Sequence, residues 1–441
     1  MKEQNISCTK ELIQFIASAP TAFHAVDEIA QRLQQAGFTP LSEAHPHVLE
    51  PGGCYYLTRN GSSIIAFRLP KAEPKGLLIA ASHSDSPTFK LKHNSEISTA
   101  GILKLNTERY GGTILSTWFD RPLSIAGRAV IRTEDGIATK TVTLDRDLAI
   151  IPNVAIHQNR SVNEGVKYNP ACDTYPLIGE ADSVGKLSEL IAAEVGCSTS
   201  DLLESDLYLY NRTTGSIFGL NDEFFASPRI DNLQCAFASM KAFLAAESNC
   251  HIQMLAVFDN EETGSTSRQG AASTFLTDTV TMIGEALGMS ATAINRWLPA
   301  SMMVSADNGH AIHPNHPELS DPHNCPRMNR GVVIKYNANQ KYTTDALSAS
   351  IFREICDRAG VPTQIFANRS DMPGGSTLGN ISNTKLALNT VDIGLAQLSM
   401  HSCYETAGTS DTLYMIRALE AFYSTSIEAL SDGNYKISYK E

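Results

Sequence analysis

An apolar run that leads directly into acidic residues constrains this chain more than any other feature. The stretch HIQMLAVFDNEETGS (251–265) has seven mostly apolar residues (252–258) followed by Asp259, Glu261 and Glu262. A short apolar run bounded by a polar turn is typical of a strand covered on both faces, as in parallel α/β sheets. Ligands of such sheets lie beyond the carboxyl ends of the strands. The acids therefore either belong to a site at a sheet edge or form a solvated loop.

Two further runs end in the same way, which favours the site over the loop. KGLLIAASHSDSP (75–87) ends in His83 and Asp85, and SMMVSADNGHAIHPN (301–315) contains Asp307 at the end of its apolar part. We therefore expect His, Asp and Glu side chains from three strands to meet at one edge of a sheet.

Length and composition limit the possible partners. A chain of 441 residues exceeds the size at which one hydrophobic core stops growing, so two domains are expected. The formal charge of −12 argues against nucleic acid and anionic membranes, which attract clustered Lys and Arg. We expect no signal peptide and no membrane span, since no apolar run is long enough. Nine scattered cysteines without CxxC spacing indicate reduced thiols and a cytoplasmic protein.

The element pattern predicts an α/β domain interrupted by a β-rich insert. Before the insert, the pattern predicts helices at 10–17 and 21–36 and strands at 54–58, 63–68 and near His83. Short Thr- and Gly-punctuated strands are then expected at 102–105, 113–117, 123–131 and 139–144, with a helix at 183–195. After the insert, helices are expected at 232–246, 270–286, 344–359 and 411–429, and strands at 252–258, 301–306, 331–335, 363–366 and 385–391. We place the catalytic domain at 1–90 and 224–441 and the insert at 91–223.

The candidate residues satisfy the requirements of a hydrolytic two-metal site. Such a site needs a bridging carboxylate, one His and one acid on each metal, and a free carboxylate for the proton of water. His83 offers an imidazole nitrogen, and Asp85 is placed to hold the other ring nitrogen. Asp307 and His401, the latter in LSMHSCYETAG (398–408), complete the number of ligands.

Two groups of residues have alternative interpretations. Asp231 in SPRIDN (227–232) lies where a loop enters a helix, which is also the position of an N-cap. His310, His313, His316 and His323 crowd one loop beyond a strand end. We interpret these four as loop histidines, one of which could contact substrate.

Six motifs in this order carry a resemblance that covers nearly the whole chain. They are SHSDSP, SPRIDN, DNEETGS, SADNGHAIHPN, KYNANQKY and LSMHS. Together with SAPTAFHAV (18–26), they resemble the aspartyl aminopeptidase family of dinuclear zinc exopeptidases. The resemblance implies a zinc-exopeptidase-like α/β/α sandwich with an inserted β-rich dimerisation domain, two zinc ions per subunit, and homo-oligomers that are commonly dodecamers.

The resemblance also implies a role for each site residue. Asp231 bridges the two zincs, His83 and Asp307 complete one ion, and Glu262 and His401 complete the other. Glu261 is the general base.

The same resemblance implies the residues that contact substrate. Lys335 binds the acidic side chain of the substrate, although its position alone is typical of a solvated strand-end lysine. His157 in the insert extends into the active site of a partner subunit and donates to the oxyanion, whereas its position alone is typical of a structural histidine. The turn RSDMPGGSTLG (369–379) has Gly374–Gly375 where many relatives have Cys-Gly, so these glycines form either a plain turn or part of the substrate wall.

The expected activity is removal of N-terminal Asp or Glu from peptides by a zinc-activated water, with Glu261 as the base. Two alternatives remain open at this point. One is a carboxypeptidase or amide deacylase with the same fold. The other is a noncatalytic assembly protein, against which the complete set of ligands and base argues.

Overall fold

The computed structural model describes residues 2–439, and this part of the chain contains nine α-helices and four β-sheets. None of these helices is long and apolar enough to cross a membrane. The helices are, in chain order, Lys2–Ser18, Ala22–Gln35, Lys186–Val195, Ile230–Ala245, Phe275–Ala286, Ala291–Asn295, Ala346–Arg358, Leu378–Ser382 and Asp411–Tyr423.

The largest sheet has nine strands and forms the middle layer of the catalytic part. Its strands are, in spatial order, Thr39–Pro40, Cys54–Arg59, Ser63–Arg68, Ile252–Phe258, Leu77–His83, Met302–Ala306, Asn389–Gly394, Val332–Tyr336 and Thr363–Ala367. The fourth to seventh strands of this order run parallel to one another. Their carboxyl ends therefore lie at one edge of the sheet.

Alternate residues of the central strands pack against two layers of helices. Leu78 and Ala80 belong to a core shared with helices Ile230–Ala245 and Asp411–Tyr423. Leu77 and Ile79 belong to a second core, which contains the helix Phe275–Ala286. Because successive side chains of a strand point to opposite faces, one apolar run fills both cores. The predicted α/β/α sandwich is confirmed.

A six-stranded antiparallel sheet forms a separate β domain. Its strands are, in spatial order, Gly136–Thr143, Leu123–Thr133, Leu202–Asn211, Thr88–Thr99, Ile102–Tyr110 and Leu177–Glu180. Phe89, Trp118 and Ile125 belong to its own hydrophobic core. The predicted β-rich insert is therefore present, while the boundaries 91–223 stay a prediction.

Two smaller sheets complete the structure. A five-stranded sheet contains Ser216–Phe218, Phe224–Ser227, Glu405–Gly408, Ala396–Leu398 and Gly309–His310. A two-stranded sheet contains Thr425–Ser431 and Asn434–Tyr439. The five-stranded sheet lies beyond the ends of the central strands and carries residues next to Asp307 and His401.

Several predicted elements differ from the structure. The first helix begins at Lys2 rather than at residue 10, and the helix predicted from 270 begins at Phe275. The segment 113–117 is not a strand. The backbone N–H of Ile114 donates to the carbonyl of His401 at 2.9 Å rather than to a neighbouring strand, and a 3₁₀ turn, Leu115–Trp118, follows. The last helix ends at Tyr423 rather than at 429. The next residues form a hairpin around Asp432–Gly433, where Gly433 takes a left-handed φ of +76°.

Candidate metal centre

The carboxyl ends of three central strands bring the predicted metal ligands together. His83 is the last residue of its strand, and Asp307 directly follows the strand Met302–Ala306. Glu261 and Glu262 lie in a 3₁₀ turn three residues after the strand Ile252–Phe258. Phe258 pairs directly with His83 across parallel strands, which fixes the register of the two ends.

Asp231 lies between the two histidines and contacts each with a different oxygen. Its Oδ1 is 3.5 Å from Nε2 of His83, and its Oδ2 is 3.5 Å from Nε2 of His401. Nε2 of His83 is also 3.4 Å from Oδ1 of Asp307, and Nε2 of His401 is 3.4 Å from Oε2 of Glu262. The five side chains form two groups that share one carboxylate. The N-cap interpretation of Asp231 does not match these contacts.

The other ring nitrogen of each histidine faces an oxygen acceptor. Nδ1 of His83 is 3.1 Å from the carbonyl of Asp85 and 3.3 Å from its Oδ1. Nδ1 of His401 is 3.2 Å from the carbonyl of Gly112. A carbonyl can only accept, so the neutral form of each ring carries its proton on Nδ1 and leaves Nε2 with a free lone pair. Both rings therefore present Nε2 as a metal ligand.

The chemistry of this cluster fits zinc. Oδ1 of Asp231 is buried and has no hydrogen-bond partner among the described residues, as expected of an atom reserved for a ligand. Three groups of three side chains have ligand atoms that all lie within 4.8 Å of one another. They are His83–Asp231–Asp307, Asp231–Glu262–His401 and His83–Glu261–Glu262. Imidazole and carboxylate donors in such groups suit zinc.

The electrostatics of the cluster also favour a bound cation. Burial raises the pKa of Glu261 to about 8 and the pKa of Glu262 well above its usual range. Burial lowers the pKa of His401, but contact with Asp231 outweighs it and raises the pKa to about 8. Ionised buried carboxylates are costly unless they are paired or coordinate metals.

A cleft of about 520 Å³ opens onto the cluster. Lys335 lies in its wall and is only 2 % exposed, so its interpretation as a solvated strand-end lysine is wrong. Its Nζ donates to the carbonyl of Asn308 at 2.8 Å and lies 3.6 Å from Oδ2 of Asp307. Tyr342 packs against the ammonium at 5.6 Å from the ring centre.

The remaining predicted substrate-binding residues differ in their position relative to the cleft. Gly375 lines the cleft, whereas Gly374 packs so closely on Asn368 that an added Cβ would clash with its Oδ1. His310 also lines the cleft, as one of the four loop histidines. His157 is exposed in the insert, and the single chain does not bring it to the cleft.

Sequence reasoning missed one residue that holds two of the predicted ligands. Glu405 is 1 % exposed, and its carboxylate accepts the backbone N–H of Asp231 at 3.0 Å and of His401 at 2.7 Å. Gln397 donates to the same carboxylate at 3.2 Å. Its position four residues after His401, at the start of a strand, was the one indication that the sequence offered.

The chain is similar to known proteins over nearly its full length. Residues 15–423 match the family described as aminopeptidase I zinc metalloprotease (M18). The probable M18 family aminopeptidase 2 of Clostridium acetobutylicum is 43 % identical over 431 residues, which cover 96 % of this chain and 100 % of that protein. The probable M18 family aminopeptidase 2 of Pseudomonas aeruginosa PAO1 is 40 % identical over 425 residues, covering 94 % and 97 %.

Solved structures agree with this match. Chaetomium thermophilum mApe1 superposes with a TM-score of 0.85 at 30 % identity, covering 94 % of this chain and 96 % of that chain. The S. cerevisiae mApe1 dodecamer gives 0.83 at 28 % identity, covering 94 % and 95 %. All five side chains of the cluster lie inside the matched range. This chain therefore belongs to the M18 family of zinc aminopeptidases, enzymes that hydrolyse the N-terminal residue from peptides.

Proposed function

We propose that this aminopeptidase prefers peptides with N-terminal Asp or Glu. The observation that carries the proposal is the position of Lys335, whose buried ammonium lies beside Asp307 in the cleft wall. Among the described residues that line the cleft, Lys335 is the one lysine or arginine. A buried cation next to the reacting centre favours a substrate carboxylate through a charge-assisted hydrogen bond.

The proposed metal assignment uses each of the five clustered side chains once. His83 and Asp307 would hold one zinc ion, Glu262 and His401 would hold the other, and Asp231 would be shared by the two. The two groups that share Asp231 support this assignment. When bound, zinc polarises the scissile carbonyl and lowers the pKa of water.

Glu261 is the proposed general base. It lines the cleft and belongs to the group with His83 and Glu262, so its carboxylate can take a proton from the attacking water and pass it to the leaving amine. Asp85 holds the turn that carries Glu261. Its carboxylate accepts the backbone N–H of Glu261 and of Glu262, each at 3.2 Å, while it also orients the ring of His83.

The insert is the proposed dimerisation domain, and His157 is its proposed contribution to the active site of a partner subunit. Val154 is 57 % exposed and Ile156 is 48 % exposed, so the segment around His157 presents apolar side chains that a partner can cover. In the partner's cleft, the His157 ring donates to the oxyanion of the tetrahedral intermediate. Gly375 is the proposed glycine at the substrate wall.

The proposed assembly is a dodecamer built from such dimers. It rests on the likeness to mApe1, whose S. cerevisiae structure is a dodecamer. A cytoplasmic location is proposed from the cysteines, all nine of which are free thiols in the structure. Light scattering should give a mass twelve times the 47.8 kDa of one chain.

Metal analysis together with substrate comparison tests the proposed function. The purified protein should hold two zinc ions per chain and turn over Asp- and Glu-anilides faster than Ala- and Leu-anilides. An N-acetylated Asp-anilide is the control, because an aminopeptidase requires the free amine. Faster turnover of Leu-anilide would overturn the acidic preference, and hydrolysis of the blocked substrate would favour the amide deacylase alternative.

A further inference from the structure

One short segment of the β domain contacts three residues of the metal centre. This segment, 110–114, begins at the last residue of the strand Ile102–Tyr110 and is called the bridging segment below. We propose that the bridging segment is a positioning element for the metal centre, so that zinc affinity depends on how the β domain packs against the catalytic domain. The inference rests on the proposed ligands and deepens that assignment.

The first contact is made by the Tyr110 side chain. Its hydroxyl donates to Oδ2 of Asp85 at 2.7 Å and accepts from Nδ2 of Asn260 at 2.8 Å. Asp85 in turn orients the ring of His83 and accepts the two backbone N–H groups of the 3₁₀ turn that carries Glu261. Tyr110 is therefore a hydrogen-bond donor, supplied by the other domain, to the carboxylate that links these ligands.

The second set of contacts holds both the side chain and the backbone of His401. The carbonyl of Gly112 accepts from Nδ1 of His401 at 3.2 Å, which sets the tautomer with Nε2 free. The carbonyl of His401 accepts from the N–H of Ile114 at 2.9 Å and from Oγ1 of Thr113 at 3.4 Å. His401 has a left-handed φ of +67°, and these bonds hold it in that conformation.

The third contact is the close approach of Gly111 to Glu262. Gly111 has φ +72°, and an added Cβ would lie 3.1 Å from Cβ of Glu262. At Gly112, an added Cβ would lie 3.2 Å from Nδ1 of His401. Both distances are tight enough that the neighbouring ligand would have to move. The two glycines therefore allow the backbone of the β domain to approach the ligands closely.

The proposal is tested by measuring the zinc affinity of two variants, Gly112→Ala and Tyr110→Phe. The measurement uses the full-length protein and competition with a chromophoric chelator. Residues that hold ligands in place typically contribute about 10- to 100-fold to metal affinity. We expect a loss in that range for Gly112→Ala and about a tenfold loss for Tyr110→Phe. Tyr208→Phe is the control for Tyr110→Phe. The ring of Tyr208 packs edge-on against the ring of Tyr110, with 5.5 Å between ring centres, and a Phe at position 208 keeps this aromatic contact.

Gly111→Ala and Gly101→Ala form a matched pair that separates positioning from backbone strain. Gly101 has φ +80° in the same β domain, but an added Cβ would meet nothing within 4 Å. Both variants should lower the melting temperature of the zinc-free protein similarly, whereas only Gly111→Ala should lose zinc affinity. Equal zinc affinity in the two variants, or unchanged affinity in Gly112→Ala, would overturn the proposal.

A direct-ligand variant distinguishes failure of this inference from failure of the proposed ligand set. His401→Ala should lose zinc from one position if the assignment is right. Zinc loss in His401→Ala with full affinity in the bridging-segment variants would contradict only the positioning role. Full zinc content in His401→Ala would contradict the ligand assignment and the inference with it.

Discussion

The nine-stranded sheet and the six-stranded sheet contribute to the same site in different ways. The nine-stranded sheet delivers His83 and Asp307 at the ends of its own buried strands, within one chain. Within residues 2–439, the six-stranded sheet supplies none of the clustered ligands and reaches them through residues 110–114.

The nine-stranded sheet therefore carries the reactive side chains, whereas the six-stranded sheet positions them. A parallel sheet places its carboxyl ends at one edge, so ligands on those ends meet without help from another domain. The β domain must instead dock correctly, and in the proposed dimer its His157 acts in the cleft of a partner chain. Substitutions in the large sheet should therefore change the chemistry of each chain on its own. Substitutions in the β domain should act through position or across subunits.

The largest effect is expected at Glu261. Glu261→Gln should keep zinc but lose about 10²–10⁴ in turnover, because the amide cannot accept the proton of water. Glu262→Gln is the matched comparison and should lose zinc from one position, since Oε2 of Glu262 faces His401. Zinc content by atomic absorption and turnover of Asp-anilide check both. If Glu261→Gln loses zinc and Glu262→Gln keeps it, the two roles are exchanged.

His157→Ala tests whether the β domain acts across subunits. The variant should keep full zinc content but lose about 10²–10³ in turnover, as expected for an oxyanion donor. His45→Ala, at another exposed histidine, is the control and should keep full activity.

Hybrid dimers make the same test sharper. Mixing His157→Ala subunits with Glu261→Gln subunits should restore activity, because one site per dimer then has both an intact His157 and an intact Glu261. Zinc loss in the single variant would show that His157 acts on the metal. Inactive hybrids, once their formation is verified by mass, would place the residue outside the partner's site.

A smaller effect is expected at Lys335. A charge-assisted hydrogen bond contributes about 1.5–3 kcal/mol, so Lys335→Ala should lower turnover of Asp-anilide about 10- to 100-fold relative to Ala-anilide. Lys341→Ala, six residues further and exposed, is the control. An Asp-to-Ala ratio that does not change in Lys335→Ala would exclude the lysine from side-chain recognition.

The smallest effect compares the packing of the two sheets. Ile334 is fully buried in the nine-stranded sheet, whereas Ile137 is 72 % exposed on an edge strand of the six-stranded sheet. Ile334→Val should lower the free energy of unfolding by about 0.5–1.5 kcal/mol. Ile137→Val should change it by less than about 0.5 kcal/mol. Equal losses in denaturant unfolding would mean that the edge of the β domain is covered, as it would be in an assembly.

The sequence by itself determined the α/β domain and the convergence of His83, Asp307 and the Glu261–Glu262 pair. Each of these residues lies at the end of a mostly apolar run or within four residues of it, and a buried parallel strand is the local structure that such a run favours. Each strand and the polar residues after it are neighbours in the chain. The pattern can therefore be recognised from the local sequence, without knowledge of long-range contacts. The family motifs gave Asp231 and His401 their roles as ligands.

Only the tertiary structure decided how the ligands are held. Asp231 by its position alone is compatible with an N-cap, and its contacts with His83 and His401 depend on segments far apart in the chain. Gly112 and His401 are separated by 289 positions, yet the carbonyl of one sets the tautomer of the other. The same docking makes 113–117 an irregular segment rather than the predicted strand. Such contacts join two domains, and local sequence patterns carry no information about how those domains pack.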